Sequence, residues 1–136
     1  MGIDYGKKRI GIALSDPLGF AAHPFEVISR KTLKSDLARI SAIAKENGVS
    51  LIVIGLPLNM DGTPGMLADE VNHFTEKVKM ETTLPVELYD ERMTTLQAER
   101  ILVEEADASR DKRKKVRDKV AAALILQSYL QKSHGN

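Results

Sequence analysis

The first thirty residues carry an apolar pattern that is typical of strands. Residues 8–15 are apolar with little polar alternation, and Asp16-Pro17-Leu18-Gly19 has the composition of a turn. Residues 20–29 continue as an extended segment. Together with the short apolar run before Asp4, this pattern predicts an antiparallel meander at the start of the chain.

The hydrophobic period changes after residue 30. Apolar residues then recur at helical spacing, and Asn47-Gly48 supplies a C-terminal stop. The recurring positions are Leu33, Leu37, Ile40 and Ala44. A short apolar run rich in β-branched side chains follows at residues 51–55. Because it comes after a helix, this run is typical of a parallel strand that is buried on both faces.

The second half of the chain repeats this alternation of helix and strand. A second helical stripe consists of Leu67, Val71, Phe74 and Val78. Residues 85–89 then predict another strand, and residues 94–97 resemble a capping box that opens a third helix.

The end of the chain carries many charges before its last helix. Residues 104–115 have no apolar periodicity, so we expect a mobile loop or a frayed helix there, and a final helix from about Val116 to Gln131. The order βββ-α-β-α-β-α-α predicts an α/β fold with a mixed five-stranded sheet flanked by helices. No repeat or linker interrupts it, so residues 1–136 are expected to form a single domain.

The composition favours a soluble globular protein over a disulfide-bonded or membrane-spanning one. Of the 136 residues, 43% are hydrophobic and 29% are charged, which is ordinary for a soluble globular protein. The absence of cysteine excludes disulfides and thiolate metal sites. The longest apolar runs are too short to cross a bilayer, and no signal peptide is recognisable. We therefore expect a cytoplasmic protein without a membrane partner.

Asp4 lies where a central strand would ordinarily avoid a charge. Burying a carboxylate is costly unless it is paired or binds a metal. Gly6 allows a sharp turn and the close approach of a ligand or a second backbone. Asp4 is thus a candidate active-site carboxylate, and a turn aspartate that caps its own backbone remains an alternative.

Asp90 and Glu91 follow the strand predicted at residues 85–89. Ligands of open α/β sheets gather outside the carboxyl ends of the strands, where Asp4 also lies. Strand alternation places Asp90 and Glu91 on opposite faces, so the pattern does not choose between them. A charged loop in which Arg92 pairs locally is the alternative.

Asp118 shares a face of the last predicted helix with Ala122, Ile125 and Tyr129. Its position near the expected helix N-terminus favours a carboxylate through the helix dipole, but the dipole does not explain why the residue faces inward. Three converging carboxylates repel one another, and Mg²⁺ or Mn²⁺ resolves that conflict with hard oxygen ligands. Two such ions can drive phosphodiester hydrolysis.

Basic residues cluster close to these acids in the sequence. Lys7, Lys8 and Arg9 follow Asp4, Arg92 follows Glu91, and seven cations lie between Arg110 and Lys119, among them Lys112, Arg113, Lys114 and Lys115. Such clusters in a chain with a net charge of +1 indicate a polyanionic partner. A solvated helix start explains the second cluster equally well.

Four ordered motifs resemble the YqgF/RuvX family over essentially the whole chain. They are Asp4-Tyr5-Gly6 with Arg9-Ile10-Gly11-Ile12-Ala13; Gly55-Leu56-Pro57-Leu58-Asn59-Met60-Asp61-Gly62; Asp90-Glu91-Arg92-Met93-Thr94-Thr95; and Asp118 with Ala121-Ala122 and Leu126-Gln127-Ser128-Tyr129-Leu130. Members are described as pre-16S ribosomal RNA nucleases and, earlier, as Holliday junction resolvases. The resemblance implies a ribonuclease H-like fold, a cytoplasmic divalent-metal nuclease, and Asp4, Glu91 and Asp118 as catalytic acids and metal ligands.

The expected function is therefore a metal-dependent nuclease, with Mg²⁺ or Mn²⁺, that matures the 5′ end of 16S rRNA. Phosphates would be held by Lys7, Lys8, Arg9, Arg92 and the cluster at residues 110–117. The expected partners are pre-rRNA and ribosome precursors, or branched DNA, and the expected state is a monomer or weak dimer. Only three residues precede Asp4, whereas relatives usually carry several, so a short first strand is expected.

Three other functions are open on the sequence. A DNA junction nuclease would use the same acids but needs two active sites facing one junction. A non-catalytic nucleic-acid-binding module is disfavoured, because carboxylates near phosphate would not strengthen the binding of nucleic acid. An ATP-handling protein of the actin-like superfold shares an early Asp–Gly strand motif, but this chain is too short for two nucleotide-clasping lobes.

Overall fold

The computed structural model of the chain describes residues 1–94 and 110–134. Its strands are β1 (Gly2–Asp4), β2 (Arg9–Ser15), β3 (Ala22–Ser29), β4 (Ile52–Leu56) and β5 (Val86–Asp90). Its helices are α1 (Leu33–Glu46), α2 (Ala68–Thr82) and α3 (Arg110–His134), and a single 3₁₀ turn spans Glu91–Met93.

The five strands form one mixed sheet in the order β3-β2-β1-β4-β5. The short strand β1 lies in the centre, antiparallel to β2 and parallel to β4, and β4 is parallel to β5. The predicted mixed five-stranded sheet is confirmed. Because β1, β4 and β5 run in the same direction, their carboxyl ends lie at one edge of the sheet.

Apolar side chains pack on both faces of the sheet, in a larger core on one face and a smaller core on the other. Ile3, Ile10, Ile12, Ile52 and Ile54 face α1 and α2 and form the larger core with residues such as Ile40 and Phe74. On the other face, Ala13 and Val53 pack against Ala122, Ile125 and Leu126 of α3. Because side chains alternate along a strand, Asp4 lies on the α3 face together with Gly2, Gly11 and Gly55.

Glycines let α3 lie directly on the sheet. A Cβ atom added to Gly11 would overlap the backbone carbonyl oxygen of Asp118, and one added to Gly2 would be 2.8 Å from the carbonyl oxygen of Ala122. The small side chains on the facing side of α3 complete this close contact. The backbone of α3 at Asp118 is therefore fixed directly above β2.

The boundaries of α1 follow the sequence signals. Thr32 caps the helix, and its side chain and that of Ser35 form a reciprocal capping box. The helix ends at the predicted Asn47-Gly48 stop, where Gly48 has a φ of 61°. The second helix also forms where its stripe predicts it, with Val71, Phe74 and Val78 buried.

The last helix already includes Arg110, the first residue described after residue 94, whereas the apolar pattern predicted a helix from about Val116. Apolar periodicity detects only the part that packs on the sheet, whereas the basic residues before it are good helix formers without an apolar face. Asp118 consequently lies well inside α3, so the helix N-terminus does not account for its position. The helix predicted after Thr94 and residues 104–109 lie outside the described residues, and the mobility expected for residues 104–115 stays a prediction.

No helix within residues 1–94 and 110–134 combines the length and the apolar character that crossing a bilayer requires.

Candidate active site

Asp4 ends β1 and is only 7% exposed. Its ladder partner on β2 is Gly11, and on β4 the pair Ile3–Ile54 places Gly55 next to it. Both neighbours of Asp4 on this face thus lack side chains. The result is a cradle of two glycines beside the carboxylate, against which the Asp118 backbone and the side chains of Ile125 and Glu91 pack closely.

Glu91 occupies the β4 side of this cradle. A Cβ added to Gly55 would lie 2.8 Å from Glu91 Oε1 and 3.0 Å from its Cγ. Neighbouring strands are about 4.8 Å apart, so the Glu91 side chain lies roughly one strand spacing from the β1 position of Asp4. The 3₁₀ turn after β5 folds the Glu91 carboxylate back over the sheet.

Asp90 is bound to Arg92 instead. Its carboxylate accepts a hydrogen bond from the Arg92 backbone N–H at 2.9 Å and from the guanidinium Nη2 at 2.7 Å. Hydrogen bonds from the Arg92 side chain hold the pKa of Asp90 below its ordinary value. The local pairing considered in the sequence analysis therefore exists for Asp90, and Glu91 is the acid that reaches the Asp4 side of the sheet.

Asp118 approaches from the β2 side. Its backbone lies over Gly11, the ladder partner of Asp4, and its side chain is 15% exposed. The carboxylate oxygen Oδ2 accepts a hydrogen bond of 2.7 Å from Arg9 Nε. Asp118 and Glu91 thus flank Asp4 from opposite sides, each above a glycine.

These carboxylates suit a hard divalent cation in their chemistry. Across the described ranges, however, no three acidic or histidine side chains already stand together as a metal-binding group. Asp118 is paired with Arg9 through the 2.7 Å contact. Asp4, Glu91 and Asp118 are the acids of this region that could serve as ligands of such a cation.

Two of the predicted phosphate-binding cations extend into solvent from the turn that follows Asp4 in the chain. Lys7 and Lys8 are exposed in the turn between β1 and β2, and Lys7 Nζ makes only a loose contact of 3.8 Å with Glu70. On the same side, Arg30 donates a hydrogen bond of 3.2 Å to the Gly6 carbonyl oxygen. The turn is therefore anchored, and Lys7 extends towards α2, which covers the other face of the sheet from α3.

Two of the arginines predicted to bind phosphate, Arg9 and Arg92, have partners within the protein. Arg9 binds Asp118, as described above. Arg92 binds Asp90 and also donates a hydrogen bond of 3.1 Å from Nη1 to the carbonyl oxygen of Met60. Arg92 thereby joins the loop after β4 to the turn that carries Glu91. Its position two residues after Asp90 indicates the pairing with Asp90 but not the contact with Met60.

The basic segment near Asp118 lies in the first turns of α3. Lys114 is half-buried and Lys115 is exposed. Lys112 and Arg113 belong to the same helix, and their side chains fall outside the described part of the chain. The described lysines therefore precede Asp118 by one turn or less along the helix.

A second anchor of the Glu91 turn comes from α3 and was missed in the sequence. Ser128 Oγ donates a hydrogen bond of 3.1 Å to the Met93 carbonyl oxygen and lies 2.9 Å from the Tyr89 hydroxyl. Ser128 lies 35 residues from Met93 in the chain, so no local pattern connects them. Together with Arg92, this contact holds both ends of the 3₁₀ turn.

The site is distinct from a cavity of about 650 Å³ at the opposite end of the sheet. That cavity is lined by apolar residues such as Leu14, Leu51 and Leu130, and by the turn around Asp16. None of the three candidate acids lines it. The carboxylates instead lie at the carboxyl ends of the parallel strands.

Comparisons with known proteins agree with this architecture. A family model described as "RuvX: Holliday junction resolvase" matches residues 1–132. A protein of Endomicrobium trichonymphae is 56% identical over 130 residues, which cover 96% of this chain and 93% of the relative. A protein of Desulforamulus reducens is 52% identical over 96% of this chain and 94% of its own. Both carry the name "Putative pre-16S rRNA nuclease".

Solved structures share the fold at low sequence identity. The Thermus thermophilus RuvC in complex with a Holliday junction substrate is 15% identical, with a TM-score of 0.54 over 98% of this chain and 94% of that one. The Fowlpox virus resolvase, in complex with Holliday junction DNA, is 12% identical, with a TM-score of 0.55 over 98% and 97%. These likenesses confirm the expected ribonuclease H-like fold.

The family model spans nearly all of the sequence, and both relatives are more than half identical to it. The four motifs that carried the resemblance lie within the matched residues. The chain belongs to the RuvX (YqgF) family.

Proposed function

We propose that the protein is a divalent-metal-dependent nuclease that hydrolyses phosphodiester bonds and processes the 5′ end of pre-16S rRNA in the cytoplasm. The observation that carries this proposal is the glycine cradle, in which Glu91 and Asp118 flank the buried Asp4 above Gly55 and Gly11. Burying one carboxylate with two further acids close by is costly, and a divalent cation bound by hard oxygen ligands would offset that cost.

The three carboxylates would hold Mg²⁺ or Mn²⁺, two ions in the usual form of such sites. When bound, these ions supply the polarisation of the phosphate and the activation of water that phosphodiester hydrolysis needs. Asp4 is the most constrained of the ligands, because it belongs to the central strand. Glu91 is oriented by a turn that is tied at both ends, through Arg92 and through the Met93 carbonyl oxygen.

The cations around the cradle would hold the nucleic-acid backbone. Lys7 and Lys8 lie in the turn that follows Asp4, and Lys112, Arg113, Lys114 and Lys115 precede Asp118 along α3. Lysine and arginine contacts to phosphate position a polymer without reading its sequence. The substrate, pre-16S rRNA, is proposed from the names of the relatives.

A second candidate is cleavage of branched DNA, because the matching family model is described as a Holliday junction resolvase. The same acids would perform the chemistry. Two active sites must face one junction, however, so this function requires a dimer whose sites lie on the same side. A monomer or weak dimer in solution is expected if RNA is the substrate.

A side-by-side assay tests the proposal. Purified protein is offered a pre-16S rRNA leader and a four-way DNA junction with Mn²⁺, with Mg²⁺ and with EDTA, and Asp4→Asn protein serves as the contamination control. We expect metal-dependent cleavage of the leader by the wild type alone. Exclusive cleavage of the junction would favour the second candidate, and equal cleavage by wild type and Asp4→Asn would overturn the site.

A further inference from the structure

The ion pair between Arg9 and Asp118 joins a cation to one of the three acids proposed to bind metal. Arg9 Nε lies 2.7 Å from Asp118 Oδ2, and the two side chains are 25% and 15% exposed. Arg9 is also a diagonal neighbour of Asp4, because Asp4 pairs with Gly11 and Arg9 stands two residues before Gly11 on the same face. The guanidinium therefore lies at the edge of the cradle.

The two partners differ in how far they can move. The backbone of α3 at Asp118 rests on Gly11, so this backbone cannot withdraw without lifting the helix. Arg9 is the first residue of β2, follows the exposed Lys7 and Lys8, and carries a long flexible side chain. Separation of the pair would therefore come from side-chain rotation, for which Arg9 has the longer and more exposed side chain.

We propose that Arg9 is an exchangeable counter-ion of the metal site. In the metal-free protein it neutralises Asp118, and when a divalent cation binds, Arg9 leaves Asp118 and binds a phosphate of the nucleic acid. The inference rests on the proposed nuclease function and adds to it a coupling between metal and substrate.

Electrostatics favours exchange over sharing. A guanidinium and a divalent cation at the same carboxylate repel each other, and the repulsion is strong where solvent is partly excluded. A phosphate offers the released guanidinium an oxygen pair that matches its fork of N–H donors. Metal binding thus prepares Arg9 for substrate, and by thermodynamic linkage the substrate tightens metal binding.

The opposite role would leave Arg9 on Asp118 as a fixed supporting hydrogen bond. Groups around a metal commonly orient its ligands in this way, and their removal weakens the binding of metal. The two roles therefore predict opposite signs for the same substitution. Exchange predicts that removal of the guanidinium tightens the binding of metal, whereas support predicts that it weakens it.

The first experiment measures Mn²⁺ binding without any cleavage. The free-ion signal in electron paramagnetic resonance is titrated for wild type, Arg9→Gln and Lys8→Gln. We expect Arg9→Gln to tighten Mn²⁺ binding by about three- to tenfold, as expected for removing a charge a few ångströms away. Lys8→Gln removes the same charge from the preceding residue. Because the exposed Lys8 ammonium is screened by solvent and salt, we expect its removal to change the Mn²⁺ affinity by less than about twofold.

The second experiment measures nucleic-acid binding in EDTA with a labelled, cleavage-resistant 2′-O-methyl RNA. Asp118→Asn releases Arg9 without metal, so we expect it to tighten RNA binding by about fivefold, which corresponds to about 1 kcal/mol. In the Arg9→Gln background the same substitution should have a markedly smaller effect. This double-mutant cycle separates the released guanidinium from the general loss of negative charge.

The outcomes distinguish this inference from the proposed function. A wild-type protein that binds neither Mn²⁺ nor RNA overturns the proposed function. If the wild type binds both ligands but Arg9→Gln binds Mn²⁺ no more tightly than Lys8→Gln does, the proposed exchange is overturned while the proposed function stands. An Asp118→Asn effect of the same size in both backgrounds overturns the exchange as well. Thermal unfolding of each variant verifies that the compared proteins are folded.

Discussion

Asp4 is a buried acid whose neighbours on the sheet, Gly11 and Gly55, let the Asp118 backbone and the Glu91 side chain come close to the central strand. Glu91 and Asp118 use the space that these glycines provide. At the scale of single residues, the site thus depends on the two glycines as much as on the three carboxylates. The carboxylate charge and the available space can be tested separately.

Replacing Asp4 by asparagine keeps the size of the side chain and removes its charge. We expect cleavage to fall by at least about a hundredfold, the scale seen when an important electrostatic group is lost. The melting temperature should stay the same or rise, because carboxylate repulsion is relieved. Single-turnover cleavage and thermal unfolding measure the two effects. Wild-type activity in this variant would show that Asp4 is not catalytic.

Glu91 and Asp90 are predicted to respond differently to loss of charge. Glu91→Gln should abolish metal-dependent cleavage and weaken divalent-cation binding, because its side chain lies above Gly55 beside Asp4. Asp90→Asn should mainly loosen the contact with Arg92 and keep most metal binding. Calorimetric Mn²⁺ titration and cleavage rates compare them. A larger loss of metal binding in Asp90→Asn would exchange the two assignments.

Sequence reasoning reached these residues unevenly. Asp4 stood out because a charge in a central strand needs a reason, and Asp118 because it shares the inward face of its helix. Strand alternation left Asp90 and Glu91 undecided; the family resemblance favoured Glu91, and the turn after β5 directs Glu91 towards Gly55 and Asp90 towards Arg92. The pair Arg9–Asp118 joins residues 109 positions apart, and such a contact depends on how α3 crosses the sheet.

Among the secondary-structure elements, α3 is the one whose position decides the site. Its backbone touches β2 at Gly11, whereas near Gly55 the closest atoms belong to the side chains of Ile125 and Glu91. A backbone contact cannot adjust without moving the helix, while side-chain ends can rotate away. The same substitution at the two glycines should therefore have different consequences.

Gly11→Ala is expected to destabilise the protein by about 1–3 kcal/mol, because the new Cβ pushes α3 off the sheet. Gly55→Ala should cost less stability and instead displace the Glu91 carboxylate, so its Mn²⁺ affinity should fall. Urea unfolding gives the stability, and Mn²⁺ titration of the folded variants gives the affinity. If Gly55→Ala proved the more destabilising change, or left metal binding intact, this account of the cradle would be wrong.

The contact between β3 and α1 predicts a dependence of stability on pH. Arg39 donates two hydrogen bonds to Glu26, of 2.8 and 2.6 Å, and these hold the pKa of Glu26 below its ordinary value. A lowered folded-state pKa means that the stabilisation is present above the unfolded pKa and is lost as the pH falls through the folded one. The pair is partly exposed, so its contribution is at most about 1 kcal/mol.

Comparison with Glu26→Gln isolates this contribution. The wild type should be more stable than Glu26→Gln at pH 7, and the difference should shrink as the pH falls below the ordinary range of a glutamate, near pH 4. Urea unfolding of both proteins at a series of pH values provides the measurement. A difference that stays constant down to pH 3 would contradict the assigned pKa shift.

Element boundaries were predictable to the extent that packing leaves a mark on the sequence. The stripes of α1 and α2 gave those helices, because their apolar faces cover the larger core. The start of α3 was placed too late at Val116, because Arg110 and the residues after it are helical without an apolar stripe. Apolar periodicity in the sequence indicates which part of a helix is buried, and the helix can extend beyond that part.

At the scale of the whole molecule, the strand order brings the acids to one edge. Helical crossovers connect β3 to β4 and β4 to β5, so the parallel arrangement of β1, β4 and β5 follows from the alternation visible in the sequence. The net charge of +1 conceals cations that lie next to the acids in the chain. This distribution, rather than the total charge, predicts how the protein responds to salt.

The segment formed by Lys112, Arg113, Lys114 and Lys115 is predicted to bind phosphates without reading sequence. Each contact to phosphate releases counterions and contributes about −0.7 to −0.9 to the slope of log affinity against log salt. Changing all four residues to alanine should weaken the binding of every RNA sequence similarly and flatten that slope, by up to about three units.

A matched variant separates these contacts from a general loss of positive charge. Lys31, Lys34, Lys45 and Lys79 are exposed and lie in or just before α1 and in α2, on the other face of the sheet from α3. Their replacement by alanine removes the same charge and should leave the slope nearly unchanged, because only cations that touch phosphate release counterions. Titration of one labelled RNA at several salt concentrations measures the slope for wild type and both variants. Equal slopes in all three proteins would show that the basic segment merely keeps the protein solvated.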